Sequence, residues 1–421
     1  MSSDPMKAYR ARRDKARLPV LEKYGILGFI SSAQSKDSDG AIYAIKKFKP
    51  DKEGEVVTYT GISQSACREI ALNREIDNVN VIKLREVMLE DKSIYMVFEY
   101  AEHDFLQIIH HHSSVLRNPI PVPVIKSLLF QLLNGVLYLH NSHIMHRDLK
   151  PANILVTSSG VVKIGDLGLA RLSHNPLQPL YIGDKVVVTI WYRAPELLMG
   201  SKHYTKAVDC WAIGCIFAEL LSLRPIFKGE EAKLDSKKNV PFQKDQVIKI
   251  FEVLGTPDLE QWPGLIHMPE YPNMLRLEKY RFNLQAWVNQ RLQAPLGYEL
   301  IGRLFDYDPT RRITAKEALT HKWFATEPRP TKNAFLSLPS QQPYPLRRVT
   351  NDEAPTMVAH LTQTTTSRPP TGGGAGSTFH RLPQQSQANT NNNNNGHAGN
   401  GAVAGANGGG GGPARKKPRL Q

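Results

Sequence analysis

Cysteine is scarce. Three thiols, Cys67, Cys210 and Cys215, occur in 421 residues, and no two have C-x-x-C spacing. An odd, sparse set excludes a disulfide framework and fits a reducing compartment. A structural zinc site is excluded on the same grounds. The triple histidine His110 to His112 has no carboxylate or thiolate cluster beside it and is not read as a metal site. Long apolar runs are missing as well. The longest, Trp211 to Leu223, contains Glu219 and is too short to cross a bilayer, so it reads as a buried helix. The opening MSSDPMKAYRARRDK lacks the apolar stretch of a signal peptide. A soluble, intracellular chain with no membrane contact is therefore expected. Acidic residues are outnumbered, 39 against 53 basic, for a net charge of +14. That balance favours acidic partners. No zinc-finger, KH or RNP pattern is present, however, and the basic residues are not interleaved with aromatics, so direct nucleic-acid binding is not expected.

What is present divides the chain into parts of different character. Residues 1–23 are basic and helix-permissive. Tyr24 to Phe48 and Val81 to Tyr100 read as strands, with a helical period over Ser63 to Arg74 between them. Helical patterns dominate from Val122 onward. The expected class is α+β and bilobal, with a small β-rich lobe over 24–101 and a large helical lobe over 102–326. After Phe324 the composition turns to Pro, Gln, Thr, Asn and Gly, which cannot supply a core, so 327–421 is expected to be a disordered tail. Its terminal Arg415-Lys-Lys-Pro-Arg419 suits a nuclear-import signal.

The most specific local text is His146-Arg-Asp-Leu-Lys-Pro-Ala-Asn153, which resembles the catalytic loop of protein kinases. Phosphoryl transfer needs positioning, charge neutralisation and a carboxylate near the attacking hydroxyl. The resemblance assigns those duties to Asp148 as the carboxylate, Lys150 near the transferring phosphate, and Asn153 as a magnesium ligand. Gly165-Asp166-Leu-Gly168 occupies the position of the kinase metal-binding motif, with leucine in place of phenylalanine, and makes Asp166 the second magnesium ligand. Tyr43-Ala-Ile-Lys46 resembles the strand that carries the lysine gripping the α- and β-phosphates, and Glu69 is its expected partner on the following helix. Ile94 to Ala101 resembles the hinge: Phe98 would be the gatekeeper, and the backbone of Glu99 and Ala101 would face adenine. Ile30 would line the same nucleotide site, and Asp104 would contact the ribose. Trp191-Tyr-Arg-Ala-Pro-Glu196 closes the activation segment. Glu196 is expected to pair with Arg312, and Asp209 to brace the catalytic loop. Together these imply ATP and Mg2+ as cofactors.

These motifs occur in order over roughly residues 20–326. Ser65-Ala-Cys-Arg-Glu69, the Asp-Leu-Gly variant and Asp209-Cys-Trp-Ala-Ile-Gly-Cys-Ile-Phe narrow the resemblance to the cyclin-dependent branch, and within it to the Mediator-associated, cyclin C-dependent kinases of fungi. The resemblance implies a nuclear Ser/Thr kinase with a cyclin C-type partner and further Mediator kinase-module subunits. It implies RNA polymerase II C-terminal repeats and transcription factors as substrates. The helix from Gln64 to Arg74 would dock the cyclin, with Lys7 through Arg17 as a second contact. Arg193 and Val186 to Thr189 suggest Ser/Thr-Pro targets. Where many relatives need a phosphothreonine, this chain has Asp184, and Arg68, Arg147 and Arg171 are placed to converge on it.

One family part is missing. No G-x-G-x-x-G lies between the first two strands, and only thirteen residues separate Ser32 from Lys46. A second strand and its turns would barely fit. Three readings stay open: an isoform lacking a short coding piece, a phosphate cover made by Ser31 to Gly40, or a non-catalytic scaffold that docks cyclin and Mediator subunits.

Overall fold

A computed structural model describes residues 6, 19–26, 32–36, 40–48, 64–90, 93–173, 189–203, 205–230, 241–339 and 344–347. The first lobe is a five-stranded antiparallel sheet in the order β1-β2-β3-β5-β4, made of β1 Tyr24–Ile26, β2 Ser32–Ser35, β3 Ile42–Phe48, β4 Leu84–Glu90 and β5 Ser93–Glu99. A single turn of helix, α1 (Val20–Lys23), leads into it. It is pinned by Val20 N donating to Glu90 Oε2 at 2.9 Å and by Lys23 Nζ 2.8 Å from Glu86. The sheet closes without a glycine-rich segment because β2 has four residues and pairs with β3 only from Ser32↔Ala44 to Gln34↔Ile42. The crowding expected between Ser32 and Lys46 is resolved by this short strand.

The helix α2 (Gln64–Glu75) packs against this sheet. Its Ala66 and Ile70 join Ala44, Met96, Phe98, Ala101 and Leu155 in one apolar cluster, so the helix is tied to β3, β5 and the hinge. Interlobe strands are short: β6 (His103–Asp104), β8 (Ile154–Val156) and β9 (Val162–Ile164) form one small sheet, and β7 (Ile144–Met145) pairs with β10 (Arg171–Leu172).

The second lobe is helical around two buried helices. The first, following α3 (Phe105–His110), is α4 (Val122–Asn141). It is long and apolar enough to cross a membrane, but 67% of its apolar window is buried, and its polar Lys126, Gln131 and His140 bond to protein groups. The helix α5 (Pro195–Leu198) precedes the second, α6 (Ala207–Ser222), which is buried on almost every side. On α6, Trp211 packs against Phe227 and Phe305 at ring-centroid distances of 5.7 and 5.1 Å. The rest is built from α7 (Lys244–Leu254), α8 (Tyr271–Met274), α9 (Leu284–Asn289), α10 (Pro295–Leu304), α11 (Ala315–Leu319) and α12 (Lys322–Ala325). Folded structure continues past the compositional boundary at 327. Residues 326–339 and 344–347 lie on the second lobe through Ser127, Gln131, Gly160, His103 and His112. The remainder of the expected tail, its basic terminus, and Lys7 through Arg17 lie outside the described residues.

The expected Glu196–Arg312 pair forms on α5. Both side chains are buried and the contact is bidentate, at 2.8 and 2.9 Å. Arg312 also donates to the carbonyls of Asp306 and Ala207 and lies over the Trp211 ring. Removing one partner leaves the other charge dry and alone, so Arg312→Ala should cost about 3–5 kcal/mol in equilibrium urea unfolding. A loss of less than about 1 kcal/mol would instead mark a solvated surface pair. The thiols give a second check. Burial pushes the Cys210 thiol up to about 12 and Cys215 well above its usual value, whereas Cys67 is exposed. Alkylation of the native chain near neutral pH should therefore label Cys67, and the other two only after denaturation, as read by peptide mass spectrometry.

Candidate active site

The site lies where the two lobes meet and is assembled from β3, α2, the loop after β7 and the turn after β9. Lys46 faces both carboxylates expected near it. Its Nζ lies 3.0 and 2.9 Å from the two Glu69 oxygens and 3.1 Å from Asp166 Oδ1. Glu69 is buried on α2, while Lys46 and Asp166 open to the cleft. Burial by itself would lower the Lys46 pKa, but Asp166 and Glu69 overcome it and hold the ammonium above its ordinary value. Burial raises Glu69; Lys46 opposes that and Asp166 adds to it. Burial also pushes Asp166 upward, and Lys46 reverses the direction, leaving that carboxylate below its usual range. Asp166 has a left-handed backbone (φ 58°). Gly168 leaves room for these carboxylates: a Cβ there would sit 3.3 Å from Asp166 Oδ1 and 3.4 Å from Glu69 Oε2, a tight contact for both.

The catalytic-loop residues form the second half. Asp148 Oδ2 accepts from Lys150 Nζ at 2.8 Å and from Asn153 Nδ2 at 3.1 Å. Asn153 Nδ2 also donates to the Asp148 carbonyl at 2.8 Å, which commits the amide nitrogen and leaves its oxygen as the available donor atom. The loop hangs from Asp209, buried on α6. Its oxygens accept from His146 N at 2.9 Å and Arg147 N at 2.8 Å, and His140 Nε2 lies 2.9 Å from Oδ2. Burial opposes the charge on Asp209, but the contact with His140 and the further bonds hold its pKa below the usual carboxylate range. His146 in turn sets the next segment, its Nε2 lying 2.9 Å from the Gly165 carbonyl.

The hinge follows β5. Phe98 is buried against Ala44, Met96 and Leu155. Glu99 is fixed from both sides, its carboxylate receiving Lys83 N at 2.8 Å and Lys163 Nζ at 2.8 and 2.9 Å. Ala101 is buried. Asp104 caps α3, Oδ1 accepting from Gln107 N at 2.7 Å, and burial raises its pKa to about 6. Of the arginines expected near Asp184, Arg68 donates to the Gly168 carbonyl at 3.2 Å and Arg147 to the Leu169 carbonyl at 3.1 Å, beside Arg171. Asp184 and Ile30 lie outside the described residues, as do Val186 to Val188. The sequence reading did not include His140 or Lys163, and neither sits in a motif with distinctive spacing. It included Tyr192 only as part of the Trp191 to Glu196 motif, without its bond: the hydroxyl donates to the buried Glu219 at 2.6 Å.

A two-lobed fold with a strand lysine paired to a helix glutamate, above a braced Asp-Lys-Asn loop, defines a protein kinase. Residues 25–324 match the protein kinase domain family, and the chain belongs to it. Its activity is that of a serine/threonine kinase. The chain is 55% identical over 394 aligned positions to the serine/threonine-protein kinase ssn3 of Neosartorya fischeri, covering 87% of this chain and 92% of that one, with the same values for the Aspergillus fumigatus protein. It is 56% identical over 367 positions to SSN3 of Yarrowia lipolytica, covering 84% and 89%. Among solved structures, a chain of the yeast RNA Pol II CTD kinase CTDK-1 complex superposes with a TM-score of 0.63 at 32% identity, covering 73% of this chain and 94% of that one.

Asp209 gives the test of this geometry. Asp209→Ala strands two backbone N–H groups and a histidine nitrogen in a dry region, at about 1–3 kcal/mol each. The thermal midpoint and kcat should both fall, while KM for ATP moves less than about twofold, because the β3 lysine and the hinge are not touched. An unchanged kcat would show that the loop holds its shape without the brace.

Proposed function

We propose that the chain is a cyclin-dependent kinase of the Mediator kinase module, transferring the γ-phosphate of ATP to Ser/Thr hydroxyls in RNA polymerase II C-terminal repeats and transcription factors in the nucleus. The observation that carries this is the assembled cluster: Lys46 between Glu69 and Asp166, opposite Asp148 held by Lys150 and Asn153. The likeness to fungal ssn3 kinases and to a chain of a polymerase CTD kinase complex supports the substrate class and the cyclin partner. α2, whose Glu69 already reaches Lys46, is the helix proposed to dock that cyclin.

The residues present fit a magnesium site. Asp166 and Asn153 offer a carboxylate and an amide oxygen, the hard donors Mg2+ takes alongside phosphate oxygens and water. Magnesium bound there would neutralise charge building on the phosphates. Lys46 would hold the α- and β-phosphates, and the hinge, from the buried Phe98 to the buried Ala101, would seat adenine. Asp148 would accept the hydrogen bond, and then the proton, of the attacking hydroxyl. Lys150 would stabilise the transferred phosphoryl group as its bond to the ADP oxygen breaks.

The missing glycine-rich segment favours one other reading, a scaffold with little turnover. Both are separated by assaying the chain with its cyclin on a polymerase repeat peptide in Mg-ATP. The expected outcome is phosphate incorporation that falls about 10²- to 10⁴-fold in Asp148→Asn. If turnover appears only after a glycine-rich segment is inserted between Ile26 and Ser32, the scaffold reading replaces the catalytic one.

A further inference from the structure

The buried face of α2 carries one residue that breaks its pattern. Ala66, Glu69, Asn73 and, just past the helix end, Ile76 recur at helical spacing and are 0, 1, 4 and 6% exposed. Ala66 packs with Ile70 into the cluster that holds Met96 and Phe98. Ile76 belongs, with Leu72 packed against it, to the large-lobe cluster that holds Leu167 of the metal-ligand turn. Glu69 takes Lys46. Asn73 therefore lies along α2 between the parts that join two apolar clusters, where the period calls for an apolar side chain.

Its amide is only half satisfied. Nδ2 donates to the Glu69 carbonyl, one turn back, at 2.8 Å. Oδ1 is buried and has no hydrogen-bond partner among the described residues. Exchanging the amide oxygen and nitrogen does not help, because the nitrogen would then be stranded and the oxygen would face the Glu69 carbonyl. A dry acceptor without a donor forfeits the bond it had to water. The seated position of α2, with Glu69 on Lys46 and Arg68 Nη1 donating to the Gly168 carbonyl at 3.2 Å, is the position that imposes this loss. A helix that lifts or turns Asn73 toward solvent recovers it.

We propose that Asn73 is a positioning residue that acts through Glu69: its stranded oxygen works against the seated position of α2, so that the grip of Glu69 on Lys46 is marginal in the chain alone and is completed by a partner docked on the helix. The last clause rests on the cyclin reading given above; the bias against the seated helix does not. The loss corresponds to about fivefold to 100-fold in the balance between seated and unseated helix. A partner that binds only the seated helix pays the same factor in affinity when the unseated one dominates.

The test compares the full chain with Asn73→Leu and Asn73→Ala, each with and without a purified cyclin C-type subunit, on a polymerase repeat peptide in Mg-ATP. Leucine fills the place without a polar atom. Alanine removes the oxygen without adding volume, and leaves the Glu69 carbonyl its helical partner. Without cyclin, Asn73→Leu should raise kcat by about fivefold to 100-fold, and Asn73→Ala by less. At saturating cyclin, kcat should stay within about twofold of the parent, and the Kd for cyclin should fall by the factor gained without it. In a Glu69→Gln background the gain should vanish, since both residues act on one contact. A cyclin-free kcat unchanged in both variants overturns the proposal, as does a gain that persists in Glu69→Gln. Amide hydrogen exchange over residues 66–74 needs neither turnover nor partner: it should slow in both variants, and exchange unchanged in both overturns the proposal as well. If cyclin activates neither parent nor variants while the variants turn over faster, the role of Asn73 stands and the cyclin reading falls.

Discussion

Lys46 stands between two carboxylates that come from different elements, Glu69 on α2 and Asp166 after β9. Without the ammonium, those like charges would repel across the cleft, and α2 would be left to its other contacts, such as the apolar packing of Ala66 and Ile70. The cluster contributes little to stability as such. Lys46 and Asp166 are both more than a third exposed, and exposed pairs are screened by water. Its consequence is geometric: a cation contacts α2 and the metal-ligand turn together only when the small lobe, the helix and the activation segment's start are in register. Whatever moves α2 therefore moves the phosphate grip, which is how a partner seated on that helix would govern activity.

The large lobe follows the opposite rule. Asp209 and the Glu196–Arg312 pair are dry, and the charged atoms of these three side chains all have hydrogen-bond partners. Buried charges of this kind cost much to form and more to break. They hold Asp148, Lys150 and Asn153 on a platform that does not adjust. The site thus joins a rigid half, where the proposed function places the attacking hydroxyl, to a more open half around Lys46 and Asp166, where it places the phosphates.

The rigid half was the more legible in sequence. His146 through Asn153 is contiguous, so the resemblance to the kinase catalytic loop named its members together, and the match of Gly165 to Gly168 to the metal-binding motif added Asp166. The Lys46–Glu69 and Glu196–Arg312 pairs could also be anticipated, and the distances bear out their geometry. What could not be read came from contacts between distant segments. His140 resembles any helix-end histidine until Asp209 is placed beside it. Lys163 resembles a surface lysine until Glu99 meets it. The folded segment past residue 326 was hidden by composition: proline, glutamine and serine signal absence of a core, yet Phe335 and Tyr344 need only a ready-made groove. Strand bounds were the remaining limit, since the stretch Tyr24 to Phe48 read as strands without marking where the four-residue β2 begins and ends.

The short β2 bears on how the nucleotide is held. β2 begins opposite Ala44, two positions before Lys46 along β3, so five residues, 27–31, are all the chain has between β1 and β2 at that edge. Five residues out and back reach at most about 8 Å. The hinge end, by contrast, is reinforced by Glu99–Lys163 and by the backbone of Pro345 and Arg347 at His103 and Glu102. Contacts to adenine and ribose are the same before and during phosphoryl transfer, so they lower KM without raising kcat. Cover over the phosphates tightens as charge redistributes and acts on kcat. Under the proposed reading, a hinge fixed by Glu99–Lys163 and a β1–β2 connection of only five residues would favour ATP binding over turnover, and a cyclin on α2 would then be the lever on the phosphate end.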